Sequence, residues 1–173
     1  GASRNPTILV DGVPLNMQGF GNLDAIPVNA VERIEIIRGT GAVLYGTDTL
    51  TGVINIVTKQ TPQISASAGY GSRGKRLATL NVSEDKFAMA YTHDRIAERN
   101  WYTAKKTSKG MWMEKHSAML KYKPNDNLSM RYMLTDNQND YDKFTALKKT
   151  GSNETNIVFH DLNVAYNNKG LDV

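Results

Sequence analysis

The segment whose side chains are best suited to chemistry is Asp136–Asp142, with the sequence DNQNDYD. Its carboxylates belong to Asp136, Asp140 and Asp142, and two asparagines lie between them. Ca²⁺ binds about six to eight oxygen ligands of this kind in flexible sites. Because the glycine and the distal glutamate of an EF-hand loop are missing, a solvated turn is the competing interpretation. We therefore expect no required cofactor and treat these aspartates as a candidate Ca²⁺ site.

No other part of the sequence is typical of a catalytic centre. Serine, histidine and aspartate all occur, but no motif orders them into a nucleophile and its base. His93, His116 and His160 fall on three different predicted strands without the spacing of metal ligands, which favours ordinary strand histidines. We therefore expect a protein that is not an enzyme.

Length and composition allow several classes of protein and exclude one. The chain has 173 residues, no cysteine, a net charge of +4 and a pI of about 9.2. The positive charge clusters only at Lys105, Lys106 and Lys109, which is typical of a solvated surface. No stretch has the pattern of a signal peptide or of an apolar helix, and the mean hydropathy is −0.46. A helical membrane protein is therefore excluded, whereas a transmembrane barrel, whose strands alternate in polarity, is not.

The chain from Gln60 onwards alternates apolar and polar residues with a period of two, which predicts strands with two different faces. The predicted strands are Pro62–Tyr70, Lys75–Ser83, Phe87–His93, Met111–Tyr122, Leu128–Asp136 and Asn156–Tyr166, with a seventh beginning at Leu171. Short polar turns alternate with two longer links, Ile96–Gly110 and Asn137–Glu154. Short and long connections in alternation are typical of an outer-membrane meander.

A different pattern precedes this region, between Val31 and Lys59. Two apolar runs rich in β-branched residues, Ile34–Ile37 and Val53–Val57, lie on either side of a segment rich in Gly, Thr and Asp. Such runs predict short buried strands. Upstream, Thr7–Asp11 predicts another strand that ends in an Asp-Gly turn.

The order of these residues resembles the closing part of the plug domain of TonB-dependent outer-membrane receptors. The matching pieces are Arg33–Gly39 (RIEIIRG), Leu44–Gly46 (LYG) and Gly52–Lys59 (GVINIVTK). Thr40 and Thr51 stand at turn positions where the family usually has Pro and Gly. The phrase ILVDGVPLN also resembles the family.

The resemblance implies a mostly β fold in two parts. Residues 1–59 would be the C-terminal part of an α+β plug domain, and residues 60–173 the first strands of an antiparallel up-and-down transmembrane β-barrel. Six or seven strands cannot close a plugged barrel, which needs about 22. The resemblance therefore implies a fragment of a receptor in the outer membrane of a Gram-negative bacterium.

The partners and site residues follow from the same resemblance. The family contacts TonB through a plug segment that we expect to be missing from this chain, and its barrel contacts outer-membrane lipid. Arg33, Glu35 and Arg38 would join the plug to the inner barrel wall. Ligand-binding side chains are expected in a plug loop and an outer loop, at Met17, Gln18, Phe20, Arg99, Trp101 and Tyr102.

The transported ligand has two candidates. Aromatic side chains mixed with positive charge in the outer loop favour an anionic ferric siderophore or another iron chelate. The plug segment also resembles the cobalamin receptor branch, which keeps vitamin B12 open. Some receptors of the family order their outer loops with calcium, which gives the Asp136–Asp142 segment a place in the same interpretation.

Other classes of protein are weaker alternatives. A soluble β-rich binding or adhesion domain would cover both faces of its sheet with its own chain. A passive pore disagrees with the plug motif. No nucleic acid is expected as a partner, since neither a groove-reading helix nor an aromatic platform is apparent.

Overall fold

Strands make up most of the chain. The computed structural model describes residues 6–15, 23–38, 52–97, 100–103, 106–109, 112–145 and 148–166. The strands are β1 (Thr7–Val10), β2 (Val13–Pro14), β3 (Val31–Ile37), β4 (Val53–Thr58), β5 (Gln63–Tyr70), β6 (Arg76–Ser83), β7 (Phe87–Ile96), β8 (Asn100–Thr103), β9 (Lys106–Lys109), β10 (Trp112–Tyr122), β11 (Leu128–Thr145) and β12 (Lys148–Tyr166). Short 3-10 turns lie at Leu23–Ala25, Val28–Ala30 and Ser72–Gly74. The prediction of a mostly β protein is confirmed. In the described ranges, no helix has the length and the apolar character needed to cross a membrane.

The first four strands form one sheet, here called the small sheet, in the order β2-β1-β4-β3. β4 lies parallel to β1 and antiparallel to β3, so its β-branched sequence VINIVT is flanked by strands on both sides. A strand in the middle of a sheet favours such residues because they pack well on a pleated surface. The predicted strand Val53–Thr58 is thus confirmed.

The turn between β1 and β2 is set by Asp11 and Gly12. Their φ angles are 52° and 80°, both in the left-handed region. Two positive φ angles define a type I′ turn, which glycine and aspartate accept more easily than other residues and whose twist suits a tight hairpin. The predicted Asp-Gly turn is therefore confirmed.

A larger sheet, here called the meander, has six strands in the order β12-β11-β10-β7-β6-β5, and every neighbouring pair is antiparallel. Consecutive strands are neighbours except where β8 and β9 intervene and pair only with each other. A 3-10 turn at Ser72–Gly74 connects β5 and β6. An up-and-down arrangement of six strands is therefore confirmed; the seventh strand predicted from Leu171 lies outside the described residues.

The two faces of the meander differ. One face packs against the small sheet, and its Ala90, Met119 and Met133 share an apolar core with Val10 and Ile56. Because side chains alternate along a strand, the residues between these point the other way. That opposite face leaves large apolar side chains exposed: Ile64, Tyr70, Phe87, Tyr91, Leu120, Tyr122, Met130, Val158, Leu162, Val164 and Tyr166.

Two predicted long links contain strands instead. The predicted loop Asn137–Glu154 was wrong, because β11 and β12 continue to pair until Thr145 lies opposite Lys148. Asparagine, glutamine and aspartate fill both faces there, so the side chains gave no alternation, although the backbone ladder does not need one. The predicted link Ile96–Gly110 likewise contains the β8–β9 hairpin.

Candidate functional site

The contact between the small sheet and the meander is built on Asp11. Its carboxylate accepts hydrogen bonds from Thr58 N at 2.9 Å, from Thr58 Oγ1 at 2.8 Å and from Lys121 Nζ at 2.8 Å. Only 14% of the Lys121 side chain and 17% of the Asp11 side chain are exposed. The type I′ turn presents Asp11, and alternation along β10 directs Lys121 toward it. A shielded ion pair therefore joins the two sheets.

Arg131 makes a second connection from β11. It is almost fully buried, its Nη1 donates to the Val10 carbonyl oxygen at 2.7 Å, and its Nη2 lies 3.4 Å from Asp161 Oδ1. A buried guanidinium needs both an anion and further acceptors to offset its desolvation. Asp161 on β12 and the end of β1 supply partners for Nη2 and Nη1, whereas Nε has no hydrogen-bond partner among the described residues.

Asn29 joins the 3-10 turn of the first part to β6 and β7. Its Nδ2 donates to the carbonyl oxygens of Leu80 and Tyr91 at 2.9 and 3.2 Å. Its Oδ1 accepts a hydrogen bond from Thr92 Oγ1 at 2.8 Å. Pro27 caps this turn with a φ of −60°, which starts the turn where it can present the amide. One side chain thus bridges to two strands of the meander.

The three predicted plug–barrel residues lie elsewhere. Arg33 pairs with Glu35 at 2.8 Å and with Glu32 at 3.3 Å, all on β3. The intervening Ile34 lies opposite Ile56, whose side chain belongs to the core shared with the meander, so Arg33 and Glu35 point to the opposite face. Arg38 is exposed just after β3. Contact of these three residues with a barrel wall stays a prediction.

Glu35 is the charged group of the small sheet with the clearest environment. Asn55 Nδ2 donates to its Oε2 at 2.9 Å and Arg33 Nε to its Oε1 at 2.9 Å. These two hydrogen bonds, that from Asn55 first, lower the pKa of Glu35 below its ordinary value of 4.5. Asn55 also accepts from the Gly12 N–H, so Glu35 steadies the β1–β2 turn through it.

The predicted ligand-binding residues can be placed only in part. Met17, Gln18, Phe20 and Arg99 lie outside the described residues. The backbone of Trp101 and Tyr102 belongs to β8, which pairs with β9. Their roles stay predictions.

The aspartates of the candidate Ca²⁺ site lie on β11 rather than in a loop. Asp136 is half-buried and Asp140 is exposed on the same face of the strand. A strand rises about 3.3 Å per residue, which separates their Cα atoms by about 13 Å. The side chain of Asp142 lies outside the described part. Calcium binding stays a prediction, without the loop on which it was based.

The residues that join the two sheets were not singled out by sequence reasoning. Lys121 and Arg131 were placed only as polar members of alternating strands, and Asp11 only as a turn residue. One signal was present: both cations lie on the strand faces opposite the exposed apolar side chains. Their partners in the small sheet are more than 100 residues away, and no local pattern shows such a pairing.

Comparison with known proteins gives the small sheet a family. The TonB-dependent Receptor Plug Domain model matches residues 1–53. The Vitamin B12 transporter BtuB of Vibrio vulnificus (strain CMCP6) is 36% identical over 85 residues, which are 47% of this chain and 14% of that protein. The chain thus spans about one seventh of the length of this relative.

Solved structures resemble about four fifths of the chain. The copper transporter OprC aligns with a TM-score of 0.51 at 16% identity, over 81% of this chain and 24% of its own. The ferric yersiniabactin uptake receptor FyuA from Yersinia pestis aligns with a TM-score of 0.48 at 21% identity, over 79% of this chain and 23% of its own. The likeness to OprC is one of fold. With the plug match over residues 1–53 and the transporter relative, the chain is similar to TonB-dependent receptors.

Proposed function

We propose that this chain is part of a Gram-negative outer-membrane receptor that takes up a bulky nutrient with energy supplied through TonB. The observation that carries the proposal is the two-faced meander. One face packs on the small sheet, and the other leaves apolar side chains such as Leu120, Leu162 and Val164 exposed. A plugged barrel needs this arrangement, with lipid on one side of the wall and the plug on the other.

The outward face supports contact with lipid. Next to the turns 84–86 and 123–127, the strands carry apolar outward residues, as in Phe87, Met89 and Tyr91 of β7. The same face of β10 carries Tyr122, Leu120 and Ala118. It becomes charged or polar beyond them, from His93 and His116 onwards. An apolar band bordered by aromatic residues is typical of membrane strands.

The inward contacts support a plug that can be displaced. Several connections are single polar contacts, among them Lys121 to Asp11 and Arg131 to the Val10 carbonyl. A hydrogen bond of a charged group contributes about 1.5–3 kcal/mol net, because water replaces it when it breaks. Force applied through TonB would then separate these contacts one after another. We expect ligand binding outside, followed by plug rearrangement, with no bond chemistry.

For the ligand we propose cobalamin, with a ferric chelate as the second candidate. The relative with 36% identity is a vitamin B12 transporter, and its match supports cobalamin more directly than structural likeness at lower identity. The ferric chelate keeps its support from the basic and aromatic sequence around Trp101 and Lys105.

Uptake in cells tests the proposal. The receptor gene that carries this sequence is expressed in a strain without its own vitamin B12 receptor, and uptake of radiolabelled cyanocobalamin is measured with and without TonB. We expect TonB-dependent uptake. A parallel strain without siderophore receptors is given radiolabelled ferric siderophore. Uptake of iron alone would replace cobalamin by the second candidate, and uptake of neither ligand would overturn the transport function.

A further inference from the structure

Three side chains on the outward face of the meander come together as metal ligands do. His93 on β7 lies directly opposite His116 on β10, and Glu114 is two residues from His116 on the same strand. One ligand atom of each of these residues lies within 4.8 Å of those of the other two. The sequence interpretation of ordinary strand histidines overlooked this group, because the two histidines are brought together by strand pairing.

Two ring nitrogens approach one carboxylate oxygen, and the stacked rings would have to rotate for both lone pairs to point at one ion. The two imidazoles stack with centroids 4.5 Å apart and an interplanar angle of 8°. His93 Nε2 lies 2.9 Å and His116 Nε2 lies 3.8 Å from the same oxygen, Glu114 Oε1. Both nitrogens therefore lie near one carboxylate oxygen, and rotation of the rings would put all three atoms around a cation.

The second nitrogen of His116 is already held. Its Nδ1 lies 2.8 Å from the Tyr91 hydroxyl. With a cation on Nε2, Nδ1 would carry the proton and donate a hydrogen bond to Tyr91 Oη. Metal-binding histidines commonly donate their other N–H to such a partner, which fixes the tautomer and the ring orientation.

Neighbouring charged side chains of both signs act on His93, Glu114 and His116. Asp136 lies opposite His116 on β11, and its Oδ1 is buried without a hydrogen-bond partner in the described part of the chain. Facing residues of this kind have Cβ atoms about 4.5–5.5 Å apart, so the carboxylate can reach the group. Arg95 lies opposite Glu114 and opposes a cation. Arg76 lies opposite Arg95 on the same face, so the two carboxylates balance two positive charges.

We propose that His93, Glu114 and His116 bind a divalent ion of the zinc class, with Asp136 as the fourth protein ligand. Two imidazole nitrogens and two carboxylates form a set that Zn²⁺ accepts in tetrahedral geometry, whereas Ca²⁺ prefers oxygen ligands alone. The ion would join β7 to β10 close to where the connection that contains β8 and β9 leaves these two strands. The proposal does not depend on the uptake function.

Zinc binding to the purified full chain in detergent micelles tests the proposal. Isothermal titration with Zn²⁺ is compared for wild type, His93→Ala, His116→Ala and Glu114→Gln. We expect wild type to bind a single Zn²⁺ and each variant to bind at least about 10-fold more weakly. Glu114→Gln keeps the size of the side chain, and far-UV circular dichroism checks that each variant folds.

His160→Ala is the matched control. His160 makes the same hydrogen bond with a tyrosine, Tyr132 Oη to Nδ1 at 2.7 Å, but lies opposite Leu134 with Val158 and Leu162 beside it on its face. We expect this variant to bind Zn²⁺ as wild type does. Equal binding in all variants, loss only in His160→Ala, or no binding by wild type would overturn the site.

A spectroscopic measurement separates coordination from a structural effect. Co²⁺ bound by two imidazoles in a tetrahedral site gives visible absorption, which we expect in wild type and His160→Ala and not in His93→Ala. Binding must also weaken in acidic solution, because protons compete with the metal ion for the imidazole nitrogens. Co²⁺ absorption that remains in His93→Ala would contradict the assignment.

Discussion

Lys121 and Asp11 are 110 residues apart in the chain and meet at 2.8 Å between Nζ and Oδ2. Thr58 contacts both of them, since its Oγ1 donates to Asp11 Oδ2 and accepts from Lys121 Nζ at 3.2 Å. One residue from β4, one from the β1–β2 turn and one from β10 therefore form a single polar cluster. It lies where the small sheet meets the meander.

Lys121→Met should destabilise this contact. The substitution leaves the shielded Asp11 carboxylate without its cation, and we expect the free energy of unfolding in urea to fall by about 1–3 kcal/mol. Lys123→Met is the control, because Lys123 and its partner Asp126 are exposed, and such a pair contributes about 0–1 kcal/mol. Equal losses in the two variants would show that the Lys121 pair does not join the sheets.

Asn29→Ala should separate the Val28–Ala30 turn from the meander. It removes two donated hydrogen bonds and one accepted bond, and we expect a loss of about 1–3 kcal/mol in the same unfolding measurement. Asn29→Asp keeps the acceptor for Thr92 but places a carboxylate against two carbonyl oxygens. It should therefore be the less stable of the two variants, and the opposite order would argue against these bonds.

Met133→Ala and Met130→Ala compare the two faces of one strand. Met133 is fully buried in the core shared with Val10 and Ile56, so its truncation should cost about 2–5 kcal/mol. Met130 is 38% exposed on the outward face, and in detergent its truncation should cost much less. Urea unfolding followed by circular dichroism measures both. Similar losses would contradict the assignment of the faces.

Glu35 predicts a pH dependence of stability. Hydrogen bonds from Asn55 and Arg33 lower its folded-state pKa below 4.5, so the ionised form is favoured in the folded chain. Its contribution is then present above about pH 4.5 and is lost as the pH falls through the lower folded-state value. The melting temperature of wild type should exceed that of Glu35→Gln at pH 7, and the difference should shrink toward pH 3. A constant difference would rule out titration of Glu35.

The strands β5, β6, β7 and β10 could be predicted from the sequence because apolar and polar residues alternate along them. The β1–β2 turn could be predicted because Asp-Gly readily adopts the two positive φ angles that a tight hairpin turn requires. The outer half of the β11–β12 hairpin could not be predicted, because Asn137, Gln138 and Asn139 give the strand no apolar face. Backbone pairing extends the strands there.

The contacts between distant residues were out of reach for a different reason. His93 and His116 meet because β7 pairs with β10 across the intervening β8–β9 hairpin, and their register depends on a backbone ladder that no motif announces. Lys121 meets Asp11 through two sheets that pack face to face. Arg33 and Glu35 were prominent in the sequence, yet their described ion pairs remain within β3, because side chains two apart on a strand share a face.

The core that Val10 and Ile56 share with Met119 and Met133 has a consequence for the order in which the protein folds. Arg131 and Val10, which also meet there, are separated by 121 residues. Closing so long a loop costs entropy before any burial is gained, so contacts of this kind form late and slowly. The β1–β4 layer therefore cannot complete its hydrophobic interior until β10 and β11 have paired beside it.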